Sequence, residues 1–345
     1  MKRVGWYVNN NFFLNKWEAI EKHGNKNISF YFYEDIFDKY DWTKPIDGSL
    51  NNLYWLRAQQ LRDSYDYIRL WYTGGSDSQT MLNTFVNNNI FIDEIVTVRV
   101  GVKDNFDDLD SEAEITKRAI PNLKALNVKN TKITVVPVGP QKMFKNLDNQ
   151  DYFKDVGAVF LRSPVYASSI YTLFPNLMLP AHDKYETVAN VQGHLKPRLE
   201  YKNNQFYCSY WDNEFTGFNP SPNIECFYSS PSFPKLHIKQ QQVLQSYLKA
   251  KYKRIENNSV FSENTKFKHD IERATRDWVD RSVDLLKGQT SIISNKSKLA
   301  VKEAFLYNKR IYNAYQEKLY YFKKIEPRFL QHRKSLKTKE YCLGP

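Results

Sequence analysis

Apolar positions along this chain recur in two periods, and the switches between them mark out the elements. Near the start, "VGWYV" and "ISFYFYE" read as strands and "NKWEAIEKH" between them as a short helix, a small α/β unit over residues 1–50. "KPIDGS" breaks the pattern, with Pro45 and Gly48 as punctuation. "LNNLYWLRAQQLRDSY" carries Leu53, Leu56 and Leu61 at helical spacing and leads into "YDYIRLWY", rich in β-formers and short enough for a buried strand. The pattern then alternates: helix "SQTMLNTFVNNN", strand "FIDEIVTVRV", helix "DSEAEITKRAIPNLKAL" bent at Pro121, strand "TKITVVPVG". Residues 142–185 read as helical and loop-rich, and "ETVANVQGHLKPRLEY" returns to a strand that ends at Gly193. Residues 201–235, full of prolines and aromatics, read as a loop region with short strands. From His237 onward three stretches read as helices, so residues 236–345 form a helical C-terminal region. Strands separated by amphipathic helices over residues 51–200 predict an α/β fold built on a parallel sheet with right-handed crossovers.

One connection stands apart. Between the buried strand and its helix lies "YTGGSDSQTML", where a linker of ordinary composition would serve as well. Gly74 and Gly75 let backbone N–H groups approach an anion with no Cβ in the way. Thr73, Ser76 and Ser78 add hydroxyls, and the helix starting near Asp77 adds the N–H groups and positive dipole of its first turn. That is a socket for phosphate oxygens, at the carboxyl end of a strand where doubly wound sheets bind ligands. Asp77 beside it suits a Mg²⁺ ion bridging carboxylate and phosphates. The spacing matches neither Gly-x-x-x-x-Gly-Lys-Ser/Thr nor Gly-x-Gly-x-x-Gly.

"TGGSDS" resembles the Ser-Gly-Gly-x-Asp-Ser signature of the PP-loop ATP pyrophosphatases, the HUP-like, Rossmann-like fold of the adenine nucleotide alpha hydrolases. Thr73 replaces the first serine and keeps its hydroxyl. The resemblance covers about residues 53–200. It implies cleavage of ATP between the α and β phosphates, with the adenylyl group passed to a carbonyl or carboxylate oxygen and AMP then displaced by a nucleophile. It also implies that Thr73, Gly74, Gly75, Ser76, Asp77 and Ser78 hold pyrophosphate, with Asp77 catalytic through Mg²⁺ and adenine over residues 98–101. "NVQGHLKPRLEY" supplies Gly193, His194, Lys196 and Arg198, where members often carry a Gly-containing segment closing the nucleotide site. Lys196 is the candidate second phosphate or substrate contact and second catalytic residue. The alternative there is a surface turn with solvated charges broken by Pro197.

Other clusters read more plainly. His182–Asp183 fits a local cap, and "DNFDDLD" with Asp104, Asp107, Asp108 and Asp110 fits an acidic helix start. Tyr201, Phe206, Tyr207, Tyr210, Trp211, Phe215 and Phe218 either stack on a base or pack a small sheet, and packing is the commoner use. "RIYNAYQEKLYYFKK" is either a nucleic-acid contact or an amphipathic packing helix.

Composition narrows the class. The 345 residues, 41% hydrophobic, suffice for a large core and contain no bilayer-length apolar run. The start, "MKRVGWYVNNNFF", lacks a signal-peptide core, and the expected location is cytoplasmic. Three cysteines, Cys208, Cys226 and Cys342, make no zinc spacing and no close pair. The net charge of +12 is concentrated: residues 236–345 hold 24 Lys+Arg against 11 Asp+Glu, the rest 26 against 27. A polyanionic partner or a set of solvated Lys-rich helices would both produce that.

Family comparison trims the reading further. Residue 2 is Lys, so the glutaminase cysteine that asparagine synthetase carries after Met1 is absent. Neither the zinc cysteines of the deazaguanine nitrile synthases nor the CxxC site of the transfer-RNA thiolases has a counterpart. The tail "KTKEYCLGP" is similar to the Lys-x-x-Glu-Cys-Gly-Leu-His motif of sulfonucleotide reductases, but Tyr341 separates Glu340 from Cys342 and the histidine is missing. The chain looks most like uncharacterised PP-loop proteins, some phage-encoded, near the 7-cyano-7-deazaguanine synthases. The expected function is ATP-dependent adenylation of a nucleobase or nucleic acid. The alternatives are a nucleic-acid-binding protein with a PP-loop scaffold and a sulfonucleotide reductase-like enzyme.

Overall fold

The computed structural model describes residues 5–13, 16–24, 26–100, 119–126, 128, 130–138, 187–193, 198–212, 224–251 and 337–345. Its centre is a five-stranded parallel sheet of β4 (Tyr67–Trp71), β5 (Glu94–Val100), β6 (Lys132–Val138), β7 (Val188–Gln192) and β10 (Ile224–Cys226), confirming the α/β class. Its order is β10-β7-β4-β5-β6. The first strand in sequence therefore lies mid-sheet, with the second and third on one side and the fourth and fifth on the other. That is the doubly wound arrangement, with its topological switch between β4 and β7.

Helices among the described residues cover one face. They are α3 (Leu50–Ser64), α4 (Ser76–Asn87) and α6 (Pro234–Lys251), with α3 packed on both others. Ser49 starts α3 by accepting from Asn52 N–H at 3.2 Å. Leu53, Tyr54, Ala58 and Leu61 of α3, Met81, Leu82 and Phe85 of α4, and Leu244 and Leu248 of α6 meet Ile68, Leu70, Ile95, Ala189 and Val191 of the sheet in one core. Each such buried aliphatic side chain contributes about 1.5–3 kcal/mol. The alternate residues point to the opposite face, and many are polar: Arg69, Glu94, Thr134, Asn190 and Gln192. Parallel sheets are ordinarily apolar on both faces, so this row is an exception.

The smaller sheets are antiparallel. β1 (Trp6–Val8) pairs with β2 (Asn11–Phe13) and with β3 (Ser29–Phe30), and α1 (Lys16–His23) packs on β1 and β2. Asn9 and Asn10, both at positive φ, form the two-residue turn from β1 to β2. After β3 comes the one-turn α2 (Glu34–Phe37). The third sheet has the order β11-β9-β8, from β8 (Arg198–Lys202), β9 (Gln205–Trp211) and β11 (Thr338–Gly344). Asn203 and Asn204 turn β8 into β9 in the same way.

Two expectations are corrected here. The segment at residues 338–344 is a strand rather than part of a helical region. Tyr341 and Leu343 are buried and alternate with more exposed neighbours, the period of a strand with one covered face. The last helix described, α6, begins at Pro234, inside the stretch read as loop, with proline at the first helical position where its missing N–H costs nothing. The other two C-terminal helices, and the helical reading of residues 142–185, lie outside the described residues. Pro121 lies in α5 (Ile120–Leu126).

The N-terminal unit shares its core with the rest of the chain. Phe37 and Trp42 pack on Tyr210, Tyr341 and His237, and Gln242 of α6 donates to the carbonyls of Trp42 and Lys44. In β9, Phe206 and Tyr210 are buried packing residues, Tyr207 is half-buried, and the side chain of Trp211 is outside the described set. Phe215 and Phe218 lie outside the described residues. No helix among the described residues is long and apolar enough to cross a membrane.

His237 is fully buried in that aromatic cluster, hydrogen-bonded to the Tyr210 hydroxyl, and burial pushes its pKa down to about 3. The folded chain therefore keeps the ring neutral while the unfolded chain protonates it below about 6.5. More protons bind to the unfolded state in that window, so stability falls as pH drops from about 6.5 towards 3, at up to about 1.4 kcal/mol per pH unit. Urea titrations between pH 7 and 4 should show this acid loss in the wild type and a shallower one in His237→Phe. Parallel curves would assign the loss to other groups.

Candidate nucleotide site

β4 is buried along its whole length and delivers the loop to the carboxyl edge of the sheet. Tyr72 extends the strand by one bond, its N–H donating to Val96 C=O at 2.8 Å. Gly74 then turns the chain at φ 78°, a left-handed conformation that a side chain would strain. Gly75 is the N-cap of α4, so no side chain caps the first turn, the position an anion takes in phosphate-binding loops. The first intrahelical bond is Gln79 N–H to Gly75 C=O, at 2.9 Å.

The hydroxyls act mainly on the loop itself. Ser78 Oγ accepts from Thr73 N–H at 3.2 Å and donates to Gly75 C=O at 3.1 Å. Thr73 Oγ1 lies 3.2 Å from Ser78 Oγ and accepts from Gly75 N–H at 3.3 Å. Read as phosphate donors, Thr73 and Ser78 are here the staples that fix the loop's curvature. Ser78 is 5% exposed and Asp77 is half-buried.

Neighbouring elements hold this turn from three sides. Tyr72 hydroxyl bonds Gln79 Oε1, and Asn122 Nδ2 of α5 donates to both, at 3.3 and 2.9 Å. Tyr228, just beyond β10, donates its hydroxyl to Asp77 C=O at 2.6 Å. Gly193 sits directly after β7, and a Cβ built there would lie 3.4 Å from Asp77 Cβ, 3.4 Å from Tyr228 Cε2 and 3.2 Å from Met81 Cε. A Cβ there would make ordinary contact with Asp77 and Tyr228 and would need only the end of the Met81 side chain to give by a few tenths of an ångström. The two candidate segments, Thr73–Ser78 and Gly193, are thus adjacent across the β4–β7 switch, where the strand order opens a crevice.

Tyr228 is placed by a buried ionic network. Arg57 of α3, 1% exposed, donates to Glu225 Oε2 at 2.6 Å, to Cys226 C=O at 3.1 Å and to Ser232 Oγ at 3.1 Å. Tyr65 hydroxyl takes the other Glu225 oxygen at 2.6 Å, and Gln240 of α6 donates to Tyr228 C=O at 2.8 Å. Sequence reasoning singled out none of Tyr228, Arg57, Glu225, Gln79 or Asn122. Only the spacing of Tyr72 and Gln79, one strand end and one helical turn, carried a readable signal.

On the sheet's other face, Arg69 Nε donates to Glu94 Oε2 at 2.8 Å and Tyr67 hydroxyl to the same oxygen at 3.2 Å. Thr134 hydroxyl and Lys132 Nζ take the remaining Glu94 oxygen, the latter at 3.3 Å. Burial pushes the Glu94 carboxyl up, but the hydrogen bonds from Thr134 and Arg69 outweigh it and hold the group below the usual carboxylate range. At the carboxyl side of this row, Asn190 Oδ1 accepts from Trp71 Nε1 at 3.2 Å and Arg69 Nη1 at 3.4 Å.

The remaining candidates fall as follows. His194 and Lys196 lie outside the described residues, as do His182, Asp183 and the acidic run from Asp104 to Asp110. Arg198 opens β8, and its side chain, like that of Ser76, is outside the described set. Residues 98–100 end β5, and Gly101 lies beyond the described residues. Cys342 belongs to β11 opposite Tyr207, its thiol 3.4 Å from Gln205 Oε1, in a different sheet from the loop.

Among the described residues no group of three or more His, Cys, Asp or Glu side chains could cage a metal ion. A Mg²⁺ ion held by Asp77 and phosphate oxygens needs no such cage, because this ion commonly binds through one or two carboxylates plus substrate phosphates. The residues present fit an ion that arrives with its nucleotide. Comparison of the chain with protein-family models and with curated proteins finds no match to either.

Proposed function

We propose that this chain is an ATP-dependent adenylating enzyme of the PP-loop ATP pyrophosphatase type, acting on a nucleobase or nucleic acid. One observation carries the reading: the Gly-rich loop Thr73–Ser78 lies at the β4–β7 switch, with Gly193 at the end of β7 close enough that a Cβ there would meet Asp77. A sheet of this order binds ligands at that crevice, and a glycine-capped helix start there suits phosphate oxygens.

The chemistry follows from what the loop can stabilise. An oxygen of the substrate attacks the α-phosphorus of ATP, the α–β bridging bond breaks, and pyrophosphate leaves with the extra negative charge. The backbone N–H groups of the first turn of α4, from Ser76 to Ser78, would meet that charge as it develops, while Gly75 N–H is held by Thr73 Oγ1. Asp77 would hold a Mg²⁺ ion that arrives with the nucleotide, and that ion would supply charge neutralisation at the phosphates. Thr73 and Ser78 keep the loop's curvature, and Lys196, three residues beyond Gly193, is assigned a second phosphate or substrate contact. A nucleophile then displaces AMP.

Product analysis of α- and γ-labelled ATP with Mg²⁺, in the presence and absence of RNA, DNA and nucleotides, tests this. AMP and pyrophosphate are the expected products, and the additive that accelerates their release identifies the substrate class. ADP and phosphate would mean that the loop runs a different reaction.

The charge distribution favours a second reading, a nucleic-acid-binding protein on the same scaffold. Residues 236–345 hold the whole positive excess of the chain. Contacts between those cations and phosphates would make affinity for nucleic acid fall steeply with salt. Absence of any ATP turnover combined with salt-sensitive binding would favour this reading over the enzyme.

A further inference from the structure

We infer that Gln192 and Asn190 form a base-reading edge beside the loop, recognising the lactam edge of a nucleobase, the –NH–C(=O)– unit whose oxygen is adenylated. The inference rests on the adenylation reading and names its acceptor more narrowly.

Both residues are on β7, two apart, so both side chains leave the same face of the sheet. Gln192 ends the strand, immediately before Gly193, where an added Cβ would lie 3.4 Å from Asp77 Cβ. It is 2% exposed, and its Oε1 has no hydrogen-bond partner among the described residues. A buried amide oxygen without a partner costs about 1–3 kcal/mol, so its presence at the ligand crevice calls for an explanation. Asn190 is turned by its neighbours: two donors, Trp71 Nε1 and Arg69 Nη1, converge on Oδ1, which fixes the amide orientation. Its Nδ2 is then the donor end of that amide. Arg69 is itself anchored by Glu94. The buried polar row across this face thus has a use: it holds one carboxamide in register beside another.

A carboxamide is the hydrogen-bonding complement of a lactam. Gln192 Oε1 accepts the ring N–H, Gln192 Nε2 donates to the adjacent carbonyl, and Asn190 Nδ2 supplies a further donor two residues back. Uracil, guanine and hypoxanthine present such an edge, whereas adenine and cytosine do not. The position suits the chemistry, because a base carbonyl held at the end of β7 is one residue from the glycine that abuts the phosphate loop.

Calorimetric titration of the full chain with uridine, guanosine, inosine, adenosine, cytidine, ATP and pyrophosphate tests the assignment in the wild type, Gln192→Met and Gln192→Glu. Methionine keeps the buried stem and removes the amide. Glutamate keeps the shape and one acceptor, and it decides the matter if the methionine variant does not fold. At least one lactam nucleoside should bind the wild type and lose about 5- to 150-fold in affinity in the variants, the span of one lost bidentate base contact, while pyrophosphate affinity is unchanged. Equal nucleoside affinities in all three proteins would overturn the inference and leave the ATP reading standing, provided that pyrophosphate binds. Loss confined to adenosine and ATP would also overturn it, since the amides would then read adenine. If neither pyrophosphate nor any nucleoside binds the wild type, both readings fall.

Discussion

Asp77→Ala is expected to lower ATP turnover by about two to three orders of magnitude, the effect of removing one preorganised electrostatic group from a phosphoryl-transfer site. The carboxylate stands in the first turn of α4, half-buried, its Cβ facing Gly193. Its backbone is held independently of the side chain, since Asp77 C=O accepts from Tyr228 and the helix start is set by Gly75 and Ser78. Truncation therefore leaves the loop in shape. The interaction of the acidic side chain with the helix dipole accounts for about 0.3–1 kcal/mol of the structural cost. Turnover and stability should thus separate: a large loss in AMP and pyrophosphate release, a small shift in urea midpoint. Nucleic-acid affinity should stay at the wild-type level, because the positive excess lies in residues 236–345. A variant that retains full turnover would show that the carboxylate does not orient the phosphates. A variant that loses turnover only in step with its folded fraction would make Asp77 a structural residue.

Much of the parallel sheet was legible because its strands are short β-rich runs and its helices have a clear apolar stripe. β4 was readable as a buried strand even with Arg69 in it, since the surrounding residues outweigh one charge. The candidate loop was distinguishable from local chemistry alone: two glycines, three hydroxyls and an acid at a strand–helix junction need no tertiary information. What was not legible depends on pairing between distant segments. β10 is three residues in a proline- and aromatic-rich stretch, and only its parallel bonds to β7 make it a strand of the main sheet. β11 alternates, but its partner β9 is far away in sequence, so the alternation had nothing to register against. The two Asn-Asn turns could have been found, because paired asparagines between β-rich runs favour the left-handed backbone of a two-residue hairpin. Gly193 stood out as a candidate in the sequence, but its proximity to Asp77 did not, since strand order decides which loops meet. The polar face of the sheet was hidden for the same reason: Arg69, Glu94 and Asn190 look like isolated polar residues until the register lines them up.

A second large effect is expected where the N-terminal unit is joined to the third sheet. Lys16 of α1 and Asp212, which follows β9, form an ion pair of 2.6 Å with both side chains fully buried, and Trp6 Nε1 adds a bond of 3.2 Å to the same carboxylate oxygen. Burial lowers the lysine's pKa while Asp212 pulls it back up, so the ammonium depends on its partner. Asp212→Ala should destabilise the chain by about 3–5 kcal/mol, the cost of a buried charge left unpaired, against a total of about 5–15 kcal/mol for a protein. Lys16→Met combined with Asp212→Leu should recover most of that loss, because removing both charges removes the desolvation penalty with them. The pH dependence supplies an independent check. Without Asp212 the buried ammonium is disfavoured in the folded state, while the unfolded chain keeps its proton up to about pH 10.4. The unfolded state then binds more protons, so the stability of Asp212→Ala should rise with pH up to that value, more steeply than that of the wild type. Urea denaturation of Asp212→Ala, of the single variants Lys16→Met and Asp212→Leu, and of their double variant at pH 7 and pH 9.5 measures all of this. Additive single-variant losses would mean that the pair does not act as a unit, and its role in joining the N-terminal unit to the third sheet would pass to the aromatic cluster around His237.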